Sequence, residues 1–341
     1  MLLAFFSSLV IAAALIFLTK KTQLGRVFQD PPSARGLHSV PVPRIGGIAV
    51  FSAVVLTVGL WMQRDSVALI ACMSLVLLLV SAVDDLRPLP ALFRLAAHTS
   101  AAILTVLIWV RAFPSLTTAL NVTNGGLLYP LSAFALVFAI VWMTNLYNFM
   151  DGADGLAGGM TVIGFGTYAL AFVLHPNADS SLALLVTAIS GAAAGFLVFN
   201  FAPAKVFMGD AGSVPLGFLA VTLGIQGSLQ HTWPWWFGVL VFSPFIVDAS
   251  ATLLRRTVQG NKPWIAHRDH YYQRLILAGW SHRKTVVSYY AVMLASAASA
   301  LIATQTVEAP AILSAWVITY ALLLVLLEWH LHQKKNKKIQ E

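Results

Sequence analysis

Long apolar runs separated by short polar stretches set the rhythm of this chain. Eleven runs stand at residues 1–18, 46–62, 66–83, 91–110, 127–143, 156–174, 181–199, 214–229, 234–254, 286–304 and 310–329. A helix needs about 20 apolar residues to cross the hydrocarbon core, and several of these runs sit at the short end of that range. Only helices and closed barrels satisfy their backbone inside a bilayer. The pattern therefore predicts an all-α integral membrane protein, a polytopic bundle of 11 transmembrane helices in a single domain over 1–341. The first run has no positive residue before it, and Lys20 and Lys21 follow it. That is the reverse of a cleavable signal peptide, so the N-terminus is expected outside and the C-terminus in the cytoplasm.

Composition agrees with the pattern. Hydrophobic residues make up 58% of the chain and charged residues only 10%, against about 25% charged in soluble domains. The single cysteine, Cys72, excludes a disulfide framework or a Cys-based metal site. A net charge of +8 would point a soluble chain toward nucleic acid, but here placement decides otherwise. With the predicted topology, only Arg64 and Arg111 of the 21 Lys and Arg fall outside, as the positive-inside rule expects. The basic residues set topology and meet anionic lipid, so a membrane-lipid partner and no nucleic acid is expected. All aspartates except Asp65 and Asp179 also fall on or near the cytoplasmic side. Charge-driven topology does not require acids there, so chemistry is expected at that face. The predicted cytoplasmic segments are 19–45, 84–94, 144–156, 200–213, 255–285 and the Lys-rich tail.

One segment dominates the chemistry. Asn145, Asn148, Asp151 and Asp154 repeat at every third position between two strongly apolar runs. Three residues advance an α-helix by about 300°, so such a row drifts only slowly around a helix and lines up on a 3₁₀ turn. Asp84 and Asp85 form a carboxylate pair at the end of the third run, and Gly209 and Gly212 flank Asp210 ahead of the eighth. Each could be a plain helix cap or helix end taken singly. Three acidic turns on one membrane face fit a shared site for a divalent cation and phosphate. Mg²⁺, with Mn²⁺ as the alternative, is held by one or two carboxylates plus substrate oxygens. His267 and His270 lie three apart, but Arg268 and Arg274 among them favour phosphate or sugar contacts over zinc. His38, Arg35 and Arg44 carry the same signal more weakly. Asp248 lies within the ninth run, where an ionisable residue is a functional suspect or the partner of a nearby Arg.

Taken together, these segments resemble the polyprenyl-phosphate N-acetylhexosamine-1-phosphate transferases. The resemblance rests on Asp84 and Asp85, on the Asn-x-x-Asn-x-x-Asp-Gly-x-Asp-Gly run from Asn145 to Gly155, and on 200–213, 38–47 and 267–274. It implies that Asn148 and Asp210 hold Mg²⁺ against the diphosphate of a UDP-N-acetylhexosamine. Asn200, Phe207 and Asp154 would face the uracil, with Asn145 also in the substrate region. Asp151 would sit near the metal, and Asp84 or Asp85 near the attacking phosphate of undecaprenyl phosphate. His38, Arg44, His267, Arg268, His270 and Arg274 would contact sugar and phosphates. The histidine loop resembles most the O-antigen initiators that use 6-deoxy amino sugars such as FucNAc or QuiNAc, with GlcNAc the other donor. The resemblance also implies the bacterial cytoplasmic membrane, with the site facing the cytoplasm, and a homodimer by family analogy.

Other classes fit less well. The phospho-MurNAc-pentapeptide translocase has a differently shaped histidine motif and usually ten spans. A transporter places its charges near the bilayer midplane between repeats, whereas these acids gather at one face and no repeat is visible. A CDP-alcohol phosphatidyltransferase resembles an Asp-Gly-x-x-Ala-Arg pattern that 154–158 lacks.

Overall fold

A computed structural model gives the structure of residues 1–31, 40–59, 68–113, 116, 128–175, 179–262, 265 and 267–340, with side chains at all of these except 128–129 and 335–340. The helices are α1 (Leu2–Thr19), α2 (Gln23–Val27), α3 (Gly46–Gly59), α4 (Ala68–Leu86), α5 (Ala91–Ala112), α6 (Leu128–Phe149), α7 (Leu156–Leu174) and α8 (Ser180–Asn200). They continue as α9 (Asp210–Leu229), α10 (Trp236–Val241), α11 (Ser243–Val258), α12 (Tyr271–Leu277), α13 (His282–Thr304) and α14 (Ala309–Gln340). Two short strands, β1 (Gln29–Asp30) and β2 (Val42–Pro43), pair antiparallel with Gln29 opposite Pro43. The protein is an all-α polytopic membrane protein, and this small hairpin is its strand content among the described residues.

Nine of the described helices are long and apolar enough to cross a bilayer. The other two predicted spans take different forms. The second is α3, whose described residues Gly46–Gly59 run about 21 Å at 1.5 Å per residue; the rest of that run, from residue 60, lies outside the described residues. The ninth is broken at Phe242 into α10 and α11. Pro244 has no N–H to donate one turn back, to Leu240. The Ser243 hydroxyl donates to that carbonyl instead, at 2.6 Å.

Helices α7, α8 and α9 form the centre. In α9, 78% of the spanning window is buried, against none of it in α14. Surrounding helices present Leu, Val and Phe outward, as lipid-facing surfaces do. Burying so much of a helix requires polar groups to find partners inside. Tyr147 and Thr161 share a hydrogen bond at 2.7 Å, and the Tyr168 hydroxyl donates to the Ala220 carbonyl at 3.0 Å. Asp179 caps α8 by accepting from the Ser181 amide at 2.8 Å.

One crossing fixes the functional end. The Gly46 and Gly47 amides donate to the carbonyls of Phe207 and Met208 at 2.9 and 2.8 Å. A Cβ on Gly47 would run into the Gly212 backbone, so only glycine lets α3 and the first turn of α9 approach this closely. The segment before α3 is thereby fastened to the loop that delivers Asp210.

Candidate active site

A cavity of about 210 Å³ opens where the ends of α6 and α8 meet the starts of α9 and α13. Its wall includes Arg44, Asn148, Asp151, Asp154, Asn200, Phe207 and Asp210, together with Asp30, Gln273 and His282. The first seven were expected from the sequence. They come from three segments far apart in the chain, and the fold brings them together.

The local chain explains each placement. Helix α6 ends at Phe149 and α7 begins at Leu156, so 150–155 forms a tight turn across the end of the bundle. Asn200, at the end of α8, secures that turn. Its Oδ1 accepts from the Gly155 amide and its Nδ2 donates to the Val206 carbonyl, both at 2.9 Å. Asp154 accepts from the Ala204 amide at 3.0 Å, and its carboxylate lies 3.5 Å from His282 Nδ1. Gly209 precedes α9 with φ of 75°, a conformation that favours glycine.

Asn148 and Asp210 face each other. The Asn148 Nδ2 donates to Asp210 Oδ2 at 3.4 Å, and the Ser213 hydroxyl donates to Asn148 Oδ1 at 2.9 Å. Asp210 also lies 3.6 Å from Arg94 Nη1. The Asn148 and Arg94 contacts of Asp210 are long and, even with Asp84 beside it, leave its carboxylate acceptor capacity to spare. Asp151 sits on the same wall without a hydrogen bond from a described side chain or amide. Burial, then the nearby Asp210 and Asp85 charges, pushes it well above the ordinary carboxylate range. Excess negative charge of this kind attracts a cation.

The donor set is all oxygen and carboxylate-rich. Among the described residues, no three His, Cys, Asp or Glu side chains converge as a closed metal cage. An open site with two or three protein oxygens suits Mg²⁺, which keeps water and phosphate ligands, and does not suit structural zinc. Asn148, Asp151 and Asp210 therefore fit the ion that the resemblance implies.

The remaining expected residues lie elsewhere. Asp84 accepts from the Leu89 amide at 2.6 Å and pairs with Arg94 at 3.0 Å; it does not line the cavity but stands against Asp210, which does. Asp85 accepts from the Asp210 and Ala211 amides at 3.1 and 2.9 Å and caps α9 from across the bundle. Asn145 bonds back to the Val141 carbonyl at 2.7 Å, away from the cavity wall. Arg274 is bound by both Nη atoms to Glu328, at 2.6 and 2.8 Å. His270 is buried beside Asp248, and His267 accepts from the Asp269 amide at 3.2 Å. Arg268 stands half-exposed. His38 lies outside the described residues. Sequence reasoning missed Asp30, Gln273 and His282 on the wall. Asp30 and His282 sit among ordinary basic connections, while Gln273 lies inside a motif already singled out.

The glycosyl transferase family 4 profile matches residues 67–228. A probable undecaprenyl-phosphate N-acetylglucosaminyl 1-phosphate transferase of Bacillus subtilis (strain 168) is 30% identical over 308 residues, covering 88% of this chain and 84% of the relative. The chain belongs to glycosyl transferase family 4. Within it, the chain is also similar to the decaprenyl-phosphate N-acetylglucosaminephosphotransferase of Mycolicibacterium smegmatis, at 29% identity over 76% of this chain and 71% of the relative. The undecaprenyl-phosphate alpha-N-acetylglucosaminyl 1-phosphate transferase of Escherichia coli K12 is 26% identical over 82% of this chain and 78% of that protein. The profile of this family spans Asp84 through Asp210, the stretch that supplies most of the cavity wall.

Proposed function

We propose that this protein transfers N-acetylhexosamine 1-phosphate from a UDP-sugar to undecaprenyl phosphate, releasing UMP, in a Mg²⁺-dependent reaction. The reaction would be the first membrane step of a cell-surface polysaccharide such as O-antigen. The observation that carries this reading is the cavity itself. Asn148, Asp151 and Asp210 share one wall at the end of a lipid-facing bundle, where a soluble nucleotide can meet a membrane-held acceptor. The concentration of Lys and Arg at the corresponding chain segments favours the cytoplasmic face.

The chemistry follows from the acceptor. A monoester phosphate has a second pKa of about 6, so it is largely dianionic near neutrality and needs little help from a base. An oxygen of the lipid phosphate would bond to the sugar-proximal phosphorus as the bond to the UMP oxygen breaks, with UMP leaving with that electron pair. When bound, Mg²⁺ would neutralise charge on the diphosphate and so ease the approach of one anion to another. Asn148 and Asp210 would orient the diphosphate end, and Arg44 and Arg94 would supply further positive charge nearby. A covalent aspartyl phosphate on Asp151 or Asp84 is less favoured. The lipid phosphate already supplies an anionic nucleophile, and both oxygens of Asp84 are engaged.

Three relatives carry N-acetylglucosamine in their names. UDP-N-acetylglucosamine is therefore the donor to try first, ahead of the 6-deoxy amino sugars. Purified protein given undecaprenyl phosphate and Mg²⁺ should release UMP with at least one of UDP-GlcNAc, UDP-GalNAc, UDP-FucNAc or UDP-QuiNAc. Release that ignores the lipid phosphate, or that yields UDP, would refute the reaction class.

A further inference from the structure

Asp248 takes no part in the cavity wall, yet it is among the most fully engaged side chains of the protein. It is buried in α11 and accepts from the Tyr271 and Tyr272 amides at 2.8 and 3.1 Å. The Thr252 hydroxyl donates to it at 3.3 Å, and the Tyr289 hydroxyl donates as well. His270 Nδ1 lies 3.6 Å away. A buried carboxylate with both oxygens saturated holds its surroundings in one geometry, because any departure strands a charge.

What Asp248 holds is the first turn of α12, and that turn leads back to the cavity. Tyr272 donates its hydroxyl to the Phe149 carbonyl at 2.9 Å, at the end of α6. A Cβ on Gly152 would collide with that hydroxyl, so Tyr272 also limits where the 150–155 turn lies. Gln273, the next residue, stands on the cavity wall. In the middle of the same short helix, Arg274 is clamped by Glu328 of α14. Glu328 also receives Arg255 at 2.8 Å and the Tyr271 hydroxyl at 2.9 Å.

We propose that Asp248 is a positioning residue for the phosphotransfer, acting through α12 and the Tyr272–Phe149 hydrogen bond to fix the 149–154 wall of the cavity. Glu328 braces the same helix through Tyr271 and Arg274. The inference rests on the proposed reaction, because it assigns that wall a role in orienting donor and acceptor. Orientation errors near 1 Å can cost about a hundredfold in rate. A side chain acting through two hydrogen bonds and a short helix should sit somewhat below that limit.

The test combines steady-state kinetics with amide exchange. At a temperature where the variant stays folded, Asp248→Asn should lower kcat about tenfold or more with the donor KM within about twofold of wild type. Tyr272→Phe, which removes only one hydroxyl, should lower kcat in the same direction. The double variant should be no worse than the poorer single one, since both act along one route. In Asp248→Asn, faster amide exchange should reach residues 149–154 as well as 271–277. Unchanged kcat in folded Asp248→Asn, multiplying effects, or exchange confined to 271–277 would each overturn the proposal. If Asp248→Asn does not fold, Tyr272→Phe decides by the same kcat and exchange criteria. If wild-type protein transfers no sugar phosphate at all, the reaction reading falls, and exchange at 149–154 still decides whether Asp248 positions that wall.

Discussion

Asp210 and Asp248 make an instructive pair. Both are aspartates on membrane helices, both have basic neighbours, and both look like functional suspects in the sequence. In the fold they are opposites. Asp248 is saturated by two amides and two hydroxyls and is closed to solvent. Asp210 has a side chain 28% exposed, with long contacts at 3.4 Å to Asn148 and 3.6 Å to Arg94 and the Asp84 carboxyl beside it. One carboxylate is used up by the protein, and the other is left with capacity for something else. Asp85 sides with Asp248, since its oxygens are taken by the first amides of α9.

The contrast can be broken by substitution. The largest effect should come from Asp210→Asn, which removes a charge from the cavity while leaving the shape. Transfer should fall by about a hundredfold or more, with the melting temperature in detergent close to that of wild type. Asp85→Asn should do the reverse in stability. It leaves one α9 amide facing an NH₂ group, a loss of about 1–3 kcal/mol for an unsatisfied buried donor. Its melting temperature should therefore drop where that of Asp210→Asn does not.

Arg274→Met comes next, because it leaves Glu328 with fewer partners. It should lower stability and leave the donor KM nearly unchanged, since Arg274 does not stand on the cavity wall. A KM rise of tenfold would instead place Arg274 on the substrate.

The smallest effect concerns pH. Burial, then His270 and Arg256, pushes His267 down to about 4 from its ordinary 6.5. The unfolded chain binds a proton there more readily than the folded one. The stabilising contribution is therefore complete above about 6.5 and declines as pH falls toward 4. Melting temperature should fall with acidification across that window, and less steeply in His267→Gln.

Much of this was legible in the chain. The apolar runs announced the spans, and the spacing of Asn148, Asp151 and Asp154 announced a polar turn between two of them. Burial is what the sequence does not print. Asp85 and Asp248 carry the same letters as ligand-binding acids, and only the fold shows backbone amides filling their acceptor sites. Arg274 likewise sits in a motif rich in suspects, but its guanidinium is committed to Glu328, a residue 54 positions later. The break in the ninth run was written in Pro244, yet the uninterrupted hydropathy concealed it. His282 and Asp30 reach the cavity only through tertiary folding, and no local pattern marks them.

The most direct test of the central claim is UMP release as a function of Mg²⁺ concentration, measured for wild type and Asp210→Asn side by side with undecaprenyl phosphate and the best donor. Saturable, metal-dependent release by wild type and almost none by a folded Asp210→Asn protein is the predicted result. Near-normal turnover by Asp210→Asn at the same Mg²⁺ concentrations would contradict the assignment of this cavity as the phosphotransfer site.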